Sequence, residues 1–102
     1  MIVRTGKYVH DSGYVVLSGM VNHPNAQQGG AIFEHIAVMV EKIGRPLLEH
    51  ETVHHKNGIR DDNRPENLEL WSGRHPKGAR VADQISWALE VLATYGADPN
   101  QW

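Results

Sequence analysis

The sequence contains no cysteine among its 102 residues. Disulfides are therefore excluded, as are zinc sites built from thiolates. No apolar run approaches the roughly 20 residues that a membrane-spanning helix needs. The first residues, MIVRTGKYVHDSG, also lack the apolar centre of a signal peptide. From these absences we expect a protein with no membrane partner and a cytoplasmic location.

The chain also lacks an excess of positive charge, because 12 acidic residues against 10 Lys and Arg give a formal net charge of -2. Domains that bind nucleic acids are often basic, so the total charge argues mildly against such a partner. The distribution argues the other way, since residues 54–80 hold an excess of basic over acidic side chains. The basic ones are Lys56, Arg60, Arg64, Arg74, Lys77 and Arg80. This local excess fits either a solvated face or an anion-binding surface.

The first half of the chain predicts a hairpin followed by a helix, within a single small domain of residues 1–102. Strand-forming residues flank the turn-forming Asp11-Ser12-Gly13, which predicts a β-hairpin over residues 2–20. A loop over residues 21–30 follows it, so that residues 1–30 form the hairpin and loop. Apolar residues then recur at helical spacing and predict a helix over residues 31–44. Gly44 is placed to cap that helix.

The second half predicts two short strands and a long final helix. The first strand falls near residues 52–55 and the second near residues 68–71, with an irregular loop between them. The final helix is predicted to begin near residues 76–79 and to end at Tyr95, with residues 96–102 as a frayed tail. Its apolar stripe consists of Val81, Ile85, Ala88, Leu92 and Tyr95.

The segment from His54 to His75 concentrates the groups that can bind a metal or move a proton. Neighbouring side chains on a strand point to opposite faces, so His54 and His55 suit two different roles better than joint chelation. One would bind a metal, and the other would act as a base. His75 could complete the metal site. Two protein ligands would leave coordination positions open for water and phosphate, which suits catalysis.

Other polar and aromatic residues admit plainer interpretations. The amide of Asn67 could hold a loop carbonyl and steady the histidine geometry, although an asparagine at such a place is often a turn or capping residue. His35 is interpreted as a packing residue or as a neighbour that supports the site. Trp71 and Trp87 are expected in the core. Surface positions are expected for His10, His23 and His50.

The stretch VHHKNGIRDDNRPENLEL, followed by His75, resembles the HNH endonuclease family. The preceding EHIAVMVEKIGRPLLEHETVHH is similar to the segment before the motif in phage-type members. The resemblance implies a ββα-metal motif, in which a two-stranded ribbon packs on a helix around one divalent ion. The expected fold is therefore α+β: an N-terminal β-hairpin, a helix, and a ββα-metal motif over residues 52–95 that ends in the long C-terminal helix.

The resemblance also implies roles for individual residues. His55 matches the general base that activates water, and Asn67 matches the middle asparagine that orients it. His75 matches the closing metal ligand, while His54 matches the ligand position before the base, which is often an aspartate. The cofactor would be one divalent ion, Mn, Mg, Ni, Co or Zn, with imidazole favouring the softer ions over Mg. The family's arginine after the upstream histidine is replaced here by Ile36.

The implied reaction is hydrolysis of DNA phosphodiesters, leaving 5′-phosphate and 3′-hydroxyl ends. The basic side chains expected to contact phosphate are Arg60, Arg64, Arg74, Lys77 and Arg80. One alternative is a non-catalytic DNA- or metal-binding module of the same shape. Another is a nuclease subunit that depends on a larger phage or mobile-element protein, such as DNA-packaging machinery. A phage-encoded protein would act in the host cytoplasm.

Overall fold

The computed structural model describes residues 6–73 and 80–102, which form an α+β fold. Within those ranges the strands are β1 (Gly6–Val9), β2 (Val15–Ser18), β3 (Ile32–Phe33), β4 (Glu51–His55) and β5 (Leu68–Ser72). The α-helices are α1 (Glu34–Ile43) and α2 (Val81–Tyr95). The predicted order of hairpin, helix, two strands and final helix is therefore confirmed.

The strands β1, β2 and β3 form one antiparallel sheet with β2 in the middle. The predicted hairpin joins β1 to β2, with Gly13 in its turn at a φ of 90° that suits glycine. Ile32 and Phe33 pair with Leu17 and Val16 of β2. The predicted helix start at residue 31 is thus wrong, because these two residues complete the sheet.

Helix α1 connects the two halves of the fold. Its buried residues, His35 and Met39, lie one turn apart on a face that packs between the two sheets. Gly44 ends the helix in a left-handed conformation, and its N–H donates to the carbonyl of Val40. The predicted end of this helix is confirmed. The helix therefore brings His35 to the interior face of the second sheet.

That second sheet is an antiparallel ribbon of β4 and β5, in which His55 pairs with Leu68 and Glu51 with Ser72. The alternation of side chains separates its two faces. The inner face carries buried Glu51 and Leu68 and also His55. The outer face carries Thr52, His54, Glu69 and Trp71. Trp71 is 53% exposed on this outer face, so its expected core position is wrong.

Helix α2 begins at Val81, directly after Arg80 in extended backbone. Residues 76–79, where the sequence predicted its start, lie outside the described ranges. Val81, Ile85 and Leu92 of the apolar stripe are exposed to solvent, whereas Trp87 is half-buried. The other end is tied down, since the Tyr95 hydroxyl donates to Oε2 of Glu51 at 2.7 Å.

The C-terminal residues differ from the predicted frayed tail. Pro99–Gln101 form a turn of 3-10 helix, and the Trp102 indole N–H donates to the Tyr95 carbonyl at 3.2 Å. The Trp102 ring also meets the Tyr95 ring edge-on, with the ring centres 5.4 Å apart. These contacts fold the tail back onto the end of α2.

The core lies between the first sheet, α1 and the inner face of the ribbon. Its buried apolar side chains are Val15, Val16, Ile32, Met39 and Leu68. Each of these side chains avoids water by packing on another element, which is the main favourable contribution to folding. No helix in the described part of the chain combines the length and apolar character needed to cross a bilayer.

Candidate active site around His55

His55 ends β4 on the inner face of the ribbon, where it meets side chains from three other parts of the fold. Its ring centre lies 5.0 Å from that of His35 on α1 and 5.9 Å from that of Tyr14 in the hairpin. Its Nε2 lies 2.6 Å from Oδ1 of Asn63 in the loop after β4. The imidazole is therefore held in one orientation, half-exposed at the edge of the core.

Asn63 links His55 to the start of α1. The amide is buried, and its Nδ2 donates to Oε1 of Glu34 at 2.9 Å. Lys7 of β1 forms an ion pair with the same carboxylate at 3.0 Å. Burial raises the pKa of the Glu34 carboxyl, but hydrogen bonds from Asn63 and Lys7 outweigh it and leave the pKa below its ordinary value. Glu34 is thus an ionised acceptor at neutral pH.

His35 stands beside His55 as a buried neutral ring. Burial, together with repulsion from neighbouring His55, lowers the pKa of His35 to about 4. Its Nδ1 is buried without a hydrogen-bond partner in the described part of the structure. The ring stacks on Phe33, with centres 5.4 Å apart. At neutral pH His35 is therefore uncharged and contacts His55 only through its ring.

Asn67 organises the loop between β4 and β5. Its Nδ2 donates to the Asp62 carbonyl at 2.8 Å and to Oδ1 of Asn57 at 2.9 Å. Its Oδ1 accepts from the Asn57 backbone N–H at 3.2 Å. The side chain is buried and closes the loop from within. Since Asn63 belongs to this loop, the contacts of Asn67 also fix the approach of Asn63 to His55.

His54 lies on the outer face of the ribbon, away from His55. Its ring stacks on Trp71, with ring centres 3.9 Å apart and planes 13° from parallel. Its Nε2 lies 3.2 Å from Oγ1 of Thr52. Within residues 6–73 and 80–102, no three His, Cys, Asp or Glu side chains converge in a possible metal site. The second predicted ligand, His75, lies outside the described residues.

The predicted phosphate-binding side chains that the structure describes are each engaged with the protein. Arg60 donates to the Ser12 carbonyl and lies over the Tyr14 ring, 5.1 Å from its centre. Arg64 forms a two-pronged ion pair with Asp62. Arg80 pairs with Asp83 at 3.0 Å. Arg74 and Lys77 lie outside the described residues.

Sequence reasoning missed three residues that touch or support His55: Tyr14, Glu34 and Asn63. Asn63 stands in the DDNRPENL stretch, so the motif contained the signal, but a loop residue gives no periodicity from which to infer a contact. Tyr14 and Glu34 were assigned only to the hairpin and the helix. Their contacts with the site depend on how the first sheet packs against the ribbon, which is a long-range property.

Comparison with protein families gives a match that covers the segment around His55. Residues 33–77 match the family model described as HNH endonuclease. The matched segment is a little under half of the chain and includes the second residue of β3, all of α1, the whole ribbon and its loop. The resemblance to the HNH endonuclease family is thereby confirmed. Comparisons with curated proteins and with solved structures returned no match.

Proposed function

We propose that this protein is a metal-dependent DNA endonuclease of the HNH type, in which His55 is the general base. The observation that carries the proposal is the fixed His55 imidazole, held by Asn63 within a segment that matches the HNH family. HNH nucleases act on DNA. A general base works best when its pKa lies near the pH at which the enzyme operates, and histidine is the side chain most often used. The β4–β5 ribbon with its following segment would supply the ββα-metal motif.

The chain's own residues would divide the work as follows. His55 would take a proton from a water molecule as that water attacks the scissile phosphorus. Asn67 would keep the loop closed, so that the imidazole does not drift from its working position. Buried neutral His35 would limit rotation of the His55 ring without adding charge beside it. Such preorganisation lowers the reorganisation needed when the reaction occurs.

The donor chemistry of two histidines supports a divalent metal in this proposal. His54 and His75 would hold the ion, and imidazole nitrogen is a good ligand for Mn, Co, Ni and Zn. Open coordination positions would remain, since two protein ligands fall short of the four in a closed structural site. When bound, the ion would stabilise the negative charge that develops on the phosphate oxygens.

Cleavage of supercoiled plasmid by the purified protein, across a panel of Mn, Mg, Ni, Co and Zn, tests the proposal. His55→Ala should lower the cleavage rate by about 100-fold or more, in line with the usual contribution of a general base. The matched control is His10→Ala, which removes an exposed imidazole that bonds to Ser12 and meets the Phe33 ring edge-on. That variant should cleave at the wild-type rate.

Three results would contradict the proposal in whole or in part. Full activity in His55→Ala would exclude this residue as the base. DNA binding without cleavage in every metal would instead support the alternative, a non-catalytic module of HNH shape. Cleavage that emerges only after adding a larger phage or mobile-element protein would support a subunit role.

A further inference from the structure

The contacts of Asn63 determine which way its amide faces. The Glu34 carboxylate has no proton to donate, so it can only accept a hydrogen bond from Asn63. The amide group 2.9 Å from Oε1 of Glu34 must therefore be the NH2 end. The opposite end, the carbonyl Oδ1, then faces Nε2 of His55 at 2.6 Å. An amide oxygen is an acceptor, so Nε2 must carry the hydrogen in this contact.

We propose that Asn63 is a positioning residue that holds neutral His55 in the Nε2–H tautomer, leaving Nδ1 as the nitrogen that takes the proton from water. In a neutral imidazole one nitrogen is a donor and the other an acceptor, so fixing one fixes both. The proposal rests on the proposed role of His55 as base, and it adds which atom of the ring acts and what selects it.

The charge that orients this amide is itself held in place. Lys7 reaches Glu34 from β1 at 3.0 Å, and Glu34 is the first residue of α1. The sequence of contacts therefore runs from an ammonium to a carboxylate, then to an amide, and ends at the imidazole. The Lys7 ammonium can only donate, and the Glu34 carboxylate can only accept. The Asn63 amide must therefore turn its NH2 toward Glu34 and its carbonyl toward His55.

Packing around the ring favours the same arrangement. Tyr14 and His35 contact the His55 ring, with centres 5.9 and 5.0 Å away. A half-turn of the imidazole, which would carry Nε2 away from Asn63, would have to proceed against both rings. Such a rotation would also leave Oδ1 of Asn63 without its hydrogen-bond donor. Unpaired buried acceptors are destabilising and are rare in folded proteins.

Nitrogen-15 NMR of histidine-labelled protein at pH 8 tests the tautomer directly, because protonated and unprotonated ring nitrogens resonate far apart. In the wild type we expect His55 to show a protonated Nε2 and an unprotonated Nδ1. Asn63→Ala should give a mixture of the two tautomers. In plasmid cleavage the same variant should lower kcat by about 10–100-fold, the range found when a metal-bound imidazole loses its outer hydrogen-bond partner, and should change KM much less than kcat.

A second variant tests the origin of the effect without removing the amide. In Glu34→Gln the new side chain can donate as well as accept, so Asn63 is free to turn over and present its NH2 to His55. We expect a mixture of tautomers and an intermediate loss of kcat. If Asn63→Ala does not fold, this variant decides the question by itself.

The matched control is Asn25→Ala, which removes another part-buried amide. Asn25 bridges the backbone N–H and carbonyl of Leu47, away from His55. Its variant should keep the wild-type tautomer and kcat. An equal loss of kcat in Asn25→Ala and Asn63→Ala would overturn the positioning role, as would a protonated Nδ1 in the wild type. A wild type inactive with every metal would refute the proposed function, while the tautomer would still be decided by NMR.

Discussion

The buried carboxylate of Glu51 offers a sharp test of what stabilises this fold. Its side chain is fully buried and forms a two-pronged ion pair with Arg45, at 2.7 and 2.8 Å. It also accepts from the Leu48 backbone N–H and from the Tyr95 hydroxyl, each at 2.7 Å. One carboxylate thus joins the start of β4, the segment after α1 and the end of α2. We therefore expect Glu51→Gln to be strongly destabilising.

The size of the effect follows from the pKa. Burial alone would raise the pKa of Glu51, but the hydrogen bonds from Arg45, Leu48 and Tyr95 lower it from 4.5 to about 2. Since one pKa unit corresponds to about 1.4 kcal/mol, the ionised form contributes about 3 kcal/mol to the free energy of unfolding at pH 7. That is a large share of the roughly 5–15 kcal/mol that stabilises a typical domain.

The pH dependence has a definite sign. Because the pKa is lower in the folded protein, the stabilisation is complete above pH 4.5 and is lost as the pH falls toward 2. Urea unfolding followed by tryptophan fluorescence should give a difference between wild type and Glu51→Gln of about 3 kcal/mol at pH 7. At pH 3 the difference should shrink to about 1.5 kcal/mol. Other carboxylates titrate alike in both proteins, so the difference isolates Glu51.

Glu66→Gln is the matched control, because this side chain is 69% exposed and lies 3.7 Å from Arg64. An exposed ion pair of that length contributes little, so the unfolding free energy should not change measurably. The reasoning would be refuted if Glu51→Gln cost no more than Glu66→Gln at pH 7. A difference that stayed constant between pH 7 and pH 3 would refute it equally.

The remaining predictions concern the metal. His54→Asp should shift the preferred ion from Mn, Ni or Co toward Mg, because a carboxylate adds a hard oxygen ligand. Cleavage rates measured with each metal test this shift. An unchanged order, with Mg best in both proteins, would exclude His54 as a ligand. His75→Ala should weaken metal binding measured by calorimetry while His10→Ala leaves it unchanged, and equal effects from the two changes would count against the site.

Elements with a strong local signal could be predicted from the sequence. The turn at Gly13, the cap at Gly44 and the apolar spacing of α1 depend on neighbours within a few residues. Ile32 and Phe33 were misassigned because Ile32 and Ile36 share helical spacing, whereas the pairing with β2 is made by residues about 16 positions earlier. Local periodicity cannot report such a pairing.

The site could be predicted only in part, for a similar reason. The motif indicated His55 and Asn67 and led to the family that was then matched. It gave no sign that Asn63 would reach His55 or that Glu34 would reach Asn63, since these contacts span 8 and 29 residues. Trp71 was expected in the core because it is large and apolar, but strand alternation puts it on the open face with His54.

The contacts of Tyr14 and Lys7 affect how the segment that matches the HNH endonuclease family could be moved between proteins. The family match begins at residue 33, so an excised segment of residues 33–77 would carry His35, His55 and the Asn63 amide. It would leave behind the phenol ring beside His55 and the ammonium that pairs with Glu34. The smallest segment that preserves these contacts therefore begins at β1. A chimera designed from residues 33–77 alone would carry His55 without the Tyr14 ring beside it, and Glu34 without Lys7.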